Sequence, residues 1–374
     1  MSKYSWDITY LVNLKDDFTS KLNNSTTVED KNKYQDVIEQ IDILLYISLM
    51  SSGEVIDSKV RCQSLLDEYR NQVRVDDSSY LFDELVSDTL PLFNQFEPLI
   101  GYRFKKRIKL DECIDILGNI INNVFGEEHY KIYKEYILDR KNVIQVSNLV
   151  EGASITTINV DGLDNHFMLL PNKHNFDLFS FLVHEVGHLF RLKNNDTSPL
   201  LDDKLFEFES YFYQIKILEY CIENNIYARE ALVSLINIFK DIEKVAILFD
   251  NANRFNLQNH FNISQFKELC GKINLYDKTN LRNTKDLLEY LSYVYSRNIL
   301  NYIYSILAVL EVKDREDGMD IYNHIVTNIG KISSDEYVYE IFDDPITFNG
   351  LEKYKKYRNK LLSLGNKGLI WWKD

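Results

Sequence analysis

The sequence predicts a mostly α-helical fold with a small antiparallel sheet beside one central helix. Three observations lead there. Chain breakers are scarce, with 13 Gly and 5 Pro in 374 residues, so long uninterrupted helices are permitted. Apolar residues recur at helical spacing through most of the chain. The β-branched runs collect in one stretch, from Val143 to Val160, as a single small sheet requires.

Taken in order, residues 1–75 read as helices, with Val37, Ile38, Ile41, Leu44, Leu45 and Leu49 on one stripe. The pattern continues over 79–140. There Ile114, Ile116, Leu117, Ile120, Ile121 and Val124 form a helix that Gly126 ends. Val143, Ile144 and Val146, then Ile155–Val160, then His166–Leu170 read as strands, with Asp161-Gly162 as a hairpin turn. Helix resumes at Phe176. Loops are expected at Asp196–Pro199, near 251–262, near 271–284 and at Asp343-Asp344-Pro345. The expected organisation is an N-terminal helical region, 1–140, and a catalytic region, 141–374, packed as one compact unit.

Composition narrows the function classes. The formal net charge is −14, and the one basic cluster, Arg103 to Lys109, reads as a solvated face. Neither suits a nucleic-acid partner. The N-terminus lacks an apolar signal core, and no run reaches the length of a membrane span. A cytoplasmic protein is expected. Cys62, Cys113, Cys221 and Cys270 are far apart in sequence, with no CxxC pair, and are read as free buried thiols.

The chemistry is concentrated in Phe179–Phe190, an apolar helical run containing His184-Glu185-Val186-Gly187-His188. This is HExxH. Residues i and i+4 share a helix face, so both imidazoles reach one metal ion. Glu185 is then set to take a proton from the water that a three-ligand zinc site leaves room for. A surface helix is a poor alternative, because burying two imidazoles and a carboxylate without partners is costly.

A third ligand is needed. No second His follows at the metzincin spacing. The next helical segment offers Glu207 and Glu209, and Glu207 shares a face with Ser210, Tyr211 and Gln214. A Glu from a neighbouring helix is the gluzincin solution, and Glu207 is preferred to Glu209. The plain alternative leaves both as exposed acids. Asp177 is either a partner that orients a ligand His or an acid at a helix N-terminus. His129, His166, His174, His260 and His324 read as surface, strand or helix-face residues, and Trp371 and Trp372 as a docked tail.

These segments resemble the thimet oligopeptidase and oligoendopeptidase F group of zinc peptidases. Members carry a HExGH helix, then E-x-x-S-x-x-x-E, whose first Glu ligates the metal. Glu207 and Ser210 fit that frame, with Gln214 in place of the last Glu. Phe167–Asn172 is similar to the family's edge strand, where substrate pairs. Tyr290–Ser296 looks like its tyrosine-rich motif, which implies oxyanion donation by Tyr293 and Tyr290. Phe125–Tyr130 and the C-terminal Tyr322–Pro345 also resemble family segments, so the likeness covers roughly residues 110–374. The resemblance implies a zincin-like helical fold, one zinc ion and short unstructured peptides as substrates. The family's His before the tyrosines has no counterpart between His260 and Tyr290, and the N-terminal part is expected to be reduced.

The sequence thus points to a zinc-dependent endopeptidase, a hydrolase without nucleic-acid or membrane partners. Two alternatives remain. One is a regulatory protein that binds zinc or peptide without catalysis, motivated by the missing His. The other is a repressor-cleaving metalloprotease, weakly echoed by Glu207-Phe208-Glu209-Ser210.

Overall fold

The computed structural model describes residues 8–52, 90–97, 99, 102–139, 143–146, 154–160, 163–171, 173–194, 204–255, 300–329, 332–342 and 350–365. The described elements group into two compact units that interleave along the chain. One falls within Met1–Arg74 and Lys106–Lys193, the other within Val75–Lys105 and Asn194–Asp374.

The first unit opens with α1 (Ile8–Asn24) packed on α2 (Val28–Ser52). Leu11, Phe18, Val37, Ile38 and Ile41 are buried there, at the predicted spacing. Next come α3 (Leu110–Phe125) and α4 (Glu127–Tyr133), which runs into a π turn over Lys134–Asp139. Gly126 separates α3 from α4 with φ of 86°, a left-handed conformation that favours glycine and stops the helix as expected. Gly118 serves differently. A Cβ there would lie 3.0 Å from the Tyr133 ring, and its absence lets Tyr133 reach the Ile114 carbonyl with a 2.7 Å hydrogen bond.

The sheet has three strands, β1 (Val143–Val146), β2 (Ser154–Val160) and β3 (Leu163–Pro171), in the order β1-β3-β2. β2 and β3 pair antiparallel, from Ser154 opposite Leu169 to Val160 opposite Leu163, leaving the two-residue interval of a tight hairpin. β1 runs parallel to β3, with Val143 opposite Met168 and Val146 opposite Pro171. The sheet is therefore mixed rather than wholly antiparallel. A second expectation also changes: β3 is the central strand, not an edge. Met168 and Leu169 are paired on both sides, and the edges among the described strands are β1 and β2. Helix α2 packs against both.

Beyond β3 the chain forms α5 (Asp177–Asn194). Its entry is pinned locally. Arg107 bridges Asn175 in antiparallel fashion, the Ile108 amide donates to the His174 carbonyl at 3.2 Å, and the Asn175 side chain accepts the Asp177 amide at 3.1 Å. That last bond satisfies a donor at the helix start.

The second unit contains α6 (Phe208–Glu223), α7 (Ala228–Phe255), α8 (Leu300–Val312), α9 (Gly318–Asn328), α10 (Val338–Ile341) and α11 (Gly350–Leu364). Helix α6 packs on α7 and α8, and α11 packs on the same two. The aromatic content fills this core: Phe212 stacks on Tyr322 with centroids 4.6 Å apart, and Phe239 on Tyr354 at 4.8 Å. The breaks proposed at 196–199, near 271–284 and at 343–345 lie outside the described residues. So do Asp161-Gly162, Cys62, Cys270, His260, Trp371 and Trp372. Cys113 and Cys221 are free and buried, as read from the sequence. No helix among the described residues is long and apolar enough to cross a membrane.

Candidate metal centre

Helix α5 is apolar almost all round, which accounts for its depth. Leu178, Phe179, Leu182, Val183, Val186, Leu189 and Phe190 are buried, and each such side chain contributes about 1.5–3 kcal/mol on leaving water. Four polar residues, Ser180, His184, Glu185 and His188, sit among them. His184 is half-buried, whereas Glu185 and His188 are only 4% and 7% exposed. The two imidazoles lie one turn apart with ring centroids separated by 5.1 Å and planes nearly perpendicular, at 86°.

Glu207 is the residue immediately before α6, not part of its body. Its backbone (φ −99°, ψ 3°) turns into the helix, and its carbonyl accepts the Tyr211 amide at 3.0 Å. It is 7% exposed and Glu209 is fully buried, so the reading of both as exposed acids fails. The two carboxylates act on different neighbours. The charge of Glu207 acts on the phenol of Tyr211, whose pKa stands well above 10 mainly through burial and then through Glu207, Tyr302 and Asp241. The charge of Glu209 acts on Tyr322, likewise raised first by burial. Among the described residues, the one cluster of three His, Cys, Asp or Glu side chains able to hold a metal ion is His184, His188 and Glu207. Each offers a donor atom, and all three atoms lie within 4.8 Å of one another.

The remaining candidates take ordinary places. Asp177 begins α5, and its carboxylate receives the Lys173 ammonium, so it acts as a helix N-terminal acid. His174 is exposed. His129 packs between the Phe125 and Phe190 rings, at 5.6 and 4.9 Å, and burial lowers its pKa. His324 pairs with Glu340 at 2.8 Å. His166 stands opposite Thr157 in the sheet. Tyr290 and Tyr293 lie outside the described residues.

Tyr211, which shares the face of Glu207 in the sequence, has a further neighbour in Tyr302. The Tyr302 ring meets Tyr211 edge-on, with centroids 6.2 Å apart at 75°. The usable signal was the i to i+4 spacing from Glu207 to Tyr211; nothing local in the sequence joins Tyr302 to either.

No protein-family model and no curated protein matches the sequence. Solved structures do match in fold. A candidate peptidase from Chlamydophila abortus is similar over 87% of this chain and 60% of its own, at 13% identity and a TM-score of 0.52. A candidate oligoendopeptidase F is similar over 90% of this chain and 66% of its own, at 12% identity and a TM-score of 0.53. One from Bacillus anthracis is similar over 96% of this chain and 76% of its own, at 10% identity and a TM-score of 0.54. The chain thus spans less than two thirds of the first two. At the level of fold, it resembles these oligoendopeptidase structures, the group that its HExGH segment suggested.

Proposed function

We propose that this chain is a zinc-dependent endopeptidase that hydrolyses internal bonds of short, unstructured peptides. The observation that carries the reading is the gathering of the His184, His188 and Glu207 donor atoms within 4.8 Å. Two imidazole nitrogens and one carboxylate oxygen suit zinc, and three protein ligands leave a coordination position for chemistry. The fold it shares with oligoendopeptidase structures supports peptides as substrates.

A zinc ion held there would supply Lewis acidity toward water and the scissile carbonyl. The chain's own residues do the rest. His184, His188 and Glu207 hold the ion. Glu185, next to His184 and 4% exposed, takes a proton from the attacking water and delivers it to the departing amine. Its seclusion from bulk water makes that proton transfer local. Tyr293 and Tyr290 are assigned, from the resemblance alone, as donors to the oxyanion.

Two measurements on the purified full chain test this: zinc content, and cleavage of a fluorogenic peptide library with and without chelator. One zinc per chain and chelator-sensitive cleavage are expected. Stoichiometric zinc with no peptide cut would instead establish a binding protein, and cleavage that survives complete zinc removal would end the metallopeptidase reading.

A further inference from the structure

We propose that Tyr211 is a positioning residue for Glu207, its phenol holding the carboxylate in the orientation that binds metal, with Tyr302 bracing the Tyr211 ring. The inference rests on the reading of Glu207 as a ligand and assigns to this chain the partners of that ligand.

Three observations join at this point. Glu207 and Tyr211 are one helical turn apart, on the same face, with the Tyr211 amide donating to the Glu207 carbonyl at 3.0 Å. Both side chains are buried, at 7% exposure each, so competing water is scarce around each. Tyr302, reaching across from α8, meets the Tyr211 ring edge-on at 6.2 Å. That arrangement favours one ring orientation.

The chemistry suits the task. A glutamate has several rotatable bonds, and the turn before α6 does not by itself fix where its oxygens point. Carboxylates that ligate metals are commonly held by hydrogen bonds from an outer layer. A phenol is well suited, because it donates while remaining neutral. A lysine in its place would also donate, but would repel the cation the site exists to bind. Asp241 is the other charged group acting on this phenol, from α7, and it is exposed. Tyr213, two residues further along α6, pairs with Tyr322 instead and provides a control.

The test uses the full chain and zinc alone. Zinc affinity is measured by competition with a chromogenic chelator, and cobalt is substituted so that its visible spectrum reports the ligand field. Tyr211→Phe should weaken zinc binding about 10- to 100-fold, the usual cost of removing an outer-layer partner. It should also change the cobalt spectrum while leaving the melting temperature of the metal-free protein in place. Tyr213→Phe should alter neither metal readout. Tyr302→Ala, which removes the brace without touching Glu207, should weaken zinc by at least about threefold. If Tyr211→Phe binds zinc within twofold of wild type with an unchanged cobalt spectrum, the proposal is overturned while the metal site stands. Should Tyr211→Phe fail to fold, unchanged zinc affinity in Tyr302→Ala overturns it. Wild type that binds no zinc would instead bring down the proposed function and this inference with it.

Discussion

Two buried carboxylates in the second unit meet burial in opposite ways. Glu243 on α7 is fully buried, and the Arg358 Nε lies 2.6 Å from it. The same guanidinium donates to the Glu97 carbonyl and lies over the Phe96 ring, while Tyr354 donates to Glu243 at 3.4 Å. The protein closes that charge with its own permanent cation, and the assembly ties α7 and α11 to the segment around Glu97. Glu207 gathers instead with two imidazoles, all three able to serve as metal ligands. A carboxylate answered by a fixed guanidinium is a structural element. One grouped with other electron-pair donors around a point is suited to an external cation.

The sharpest way to break that contrast is to delete each acid's role in turn. Glu207→Ala should remove the zinc altogether, with loss of peptide cleavage, and leave the metal-free fold no less stable. Metal analysis after dialysis checks this, and a variant that keeps full zinc would move the third ligand elsewhere. Glu209→Ala should keep its zinc, since the donor atoms that gather are those of His184, His188 and Glu207. Glu185→Gln separates binding from chemistry. It should hold one zinc per chain and cut peptide about 10²- to 10⁴-fold more slowly, the usual worth of a general base. Normal turnover by that variant would take Glu185 out of the mechanism.

At the structural acid, the expected loss is in stability. Arg358→Met leaves the Glu243 carboxylate buried without its cation, which costs about 3–5 kcal/mol. Urea unfolding should show that loss while zinc affinity of the folded protein stays put. A loss below about 1 kcal/mol would place the pair among the exposed ion pairs that contribute little.

How much of this could be read in the sequence divides along physical lines. Helices α1, α2 and α3 followed from apolar spacing, and the end of α3 from Gly126, because those signals are local. The HExxH helix was legible because its chemistry is confined to five residues. The sheet was found, but its order was not. Register between β2 and β3 follows from the short interval between them, whereas the parallel placement of β1 depends on a long connection that no local pattern encodes. β3 therefore lies in the centre of the sheet, where the family resemblance implies an edge. The burial of Glu209 was equally illegible, since an acid between Phe208 and Ser210 looks the same in sequence whether it is exposed or enclosed. The Arg358–Glu243 pair joins residues 115 apart and left no trace in either segment.

The smallest expected effect tests which of two opposing influences governs Glu243. Burial raises its pKa from the ordinary 4.5 to about 7, against the pull of Arg358 and Tyr354. A carboxyl whose folded pKa exceeds its unfolded one binds more protons in the native state between those two values. Its contribution to stability is therefore complete below pH 4.5 and is lost as the pH rises through about 7. The gap corresponds to at most about 3 kcal/mol. Glu243→Gln removes the titration and keeps a polar group for Arg358. Urea unfolding of both proteins at pH 5 and pH 8 isolates the effect, because every other titrating group is common to the pair. Wild type should lose up to about 3 kcal/mol relative to Glu243→Gln between the two pH values. If the difference between them is the same at both, Arg358 outweighs burial and Glu243 is charged throughout. The structural acid would then be an ordinary salt bridge, and its contrast with Glu207 would rest on geometry alone.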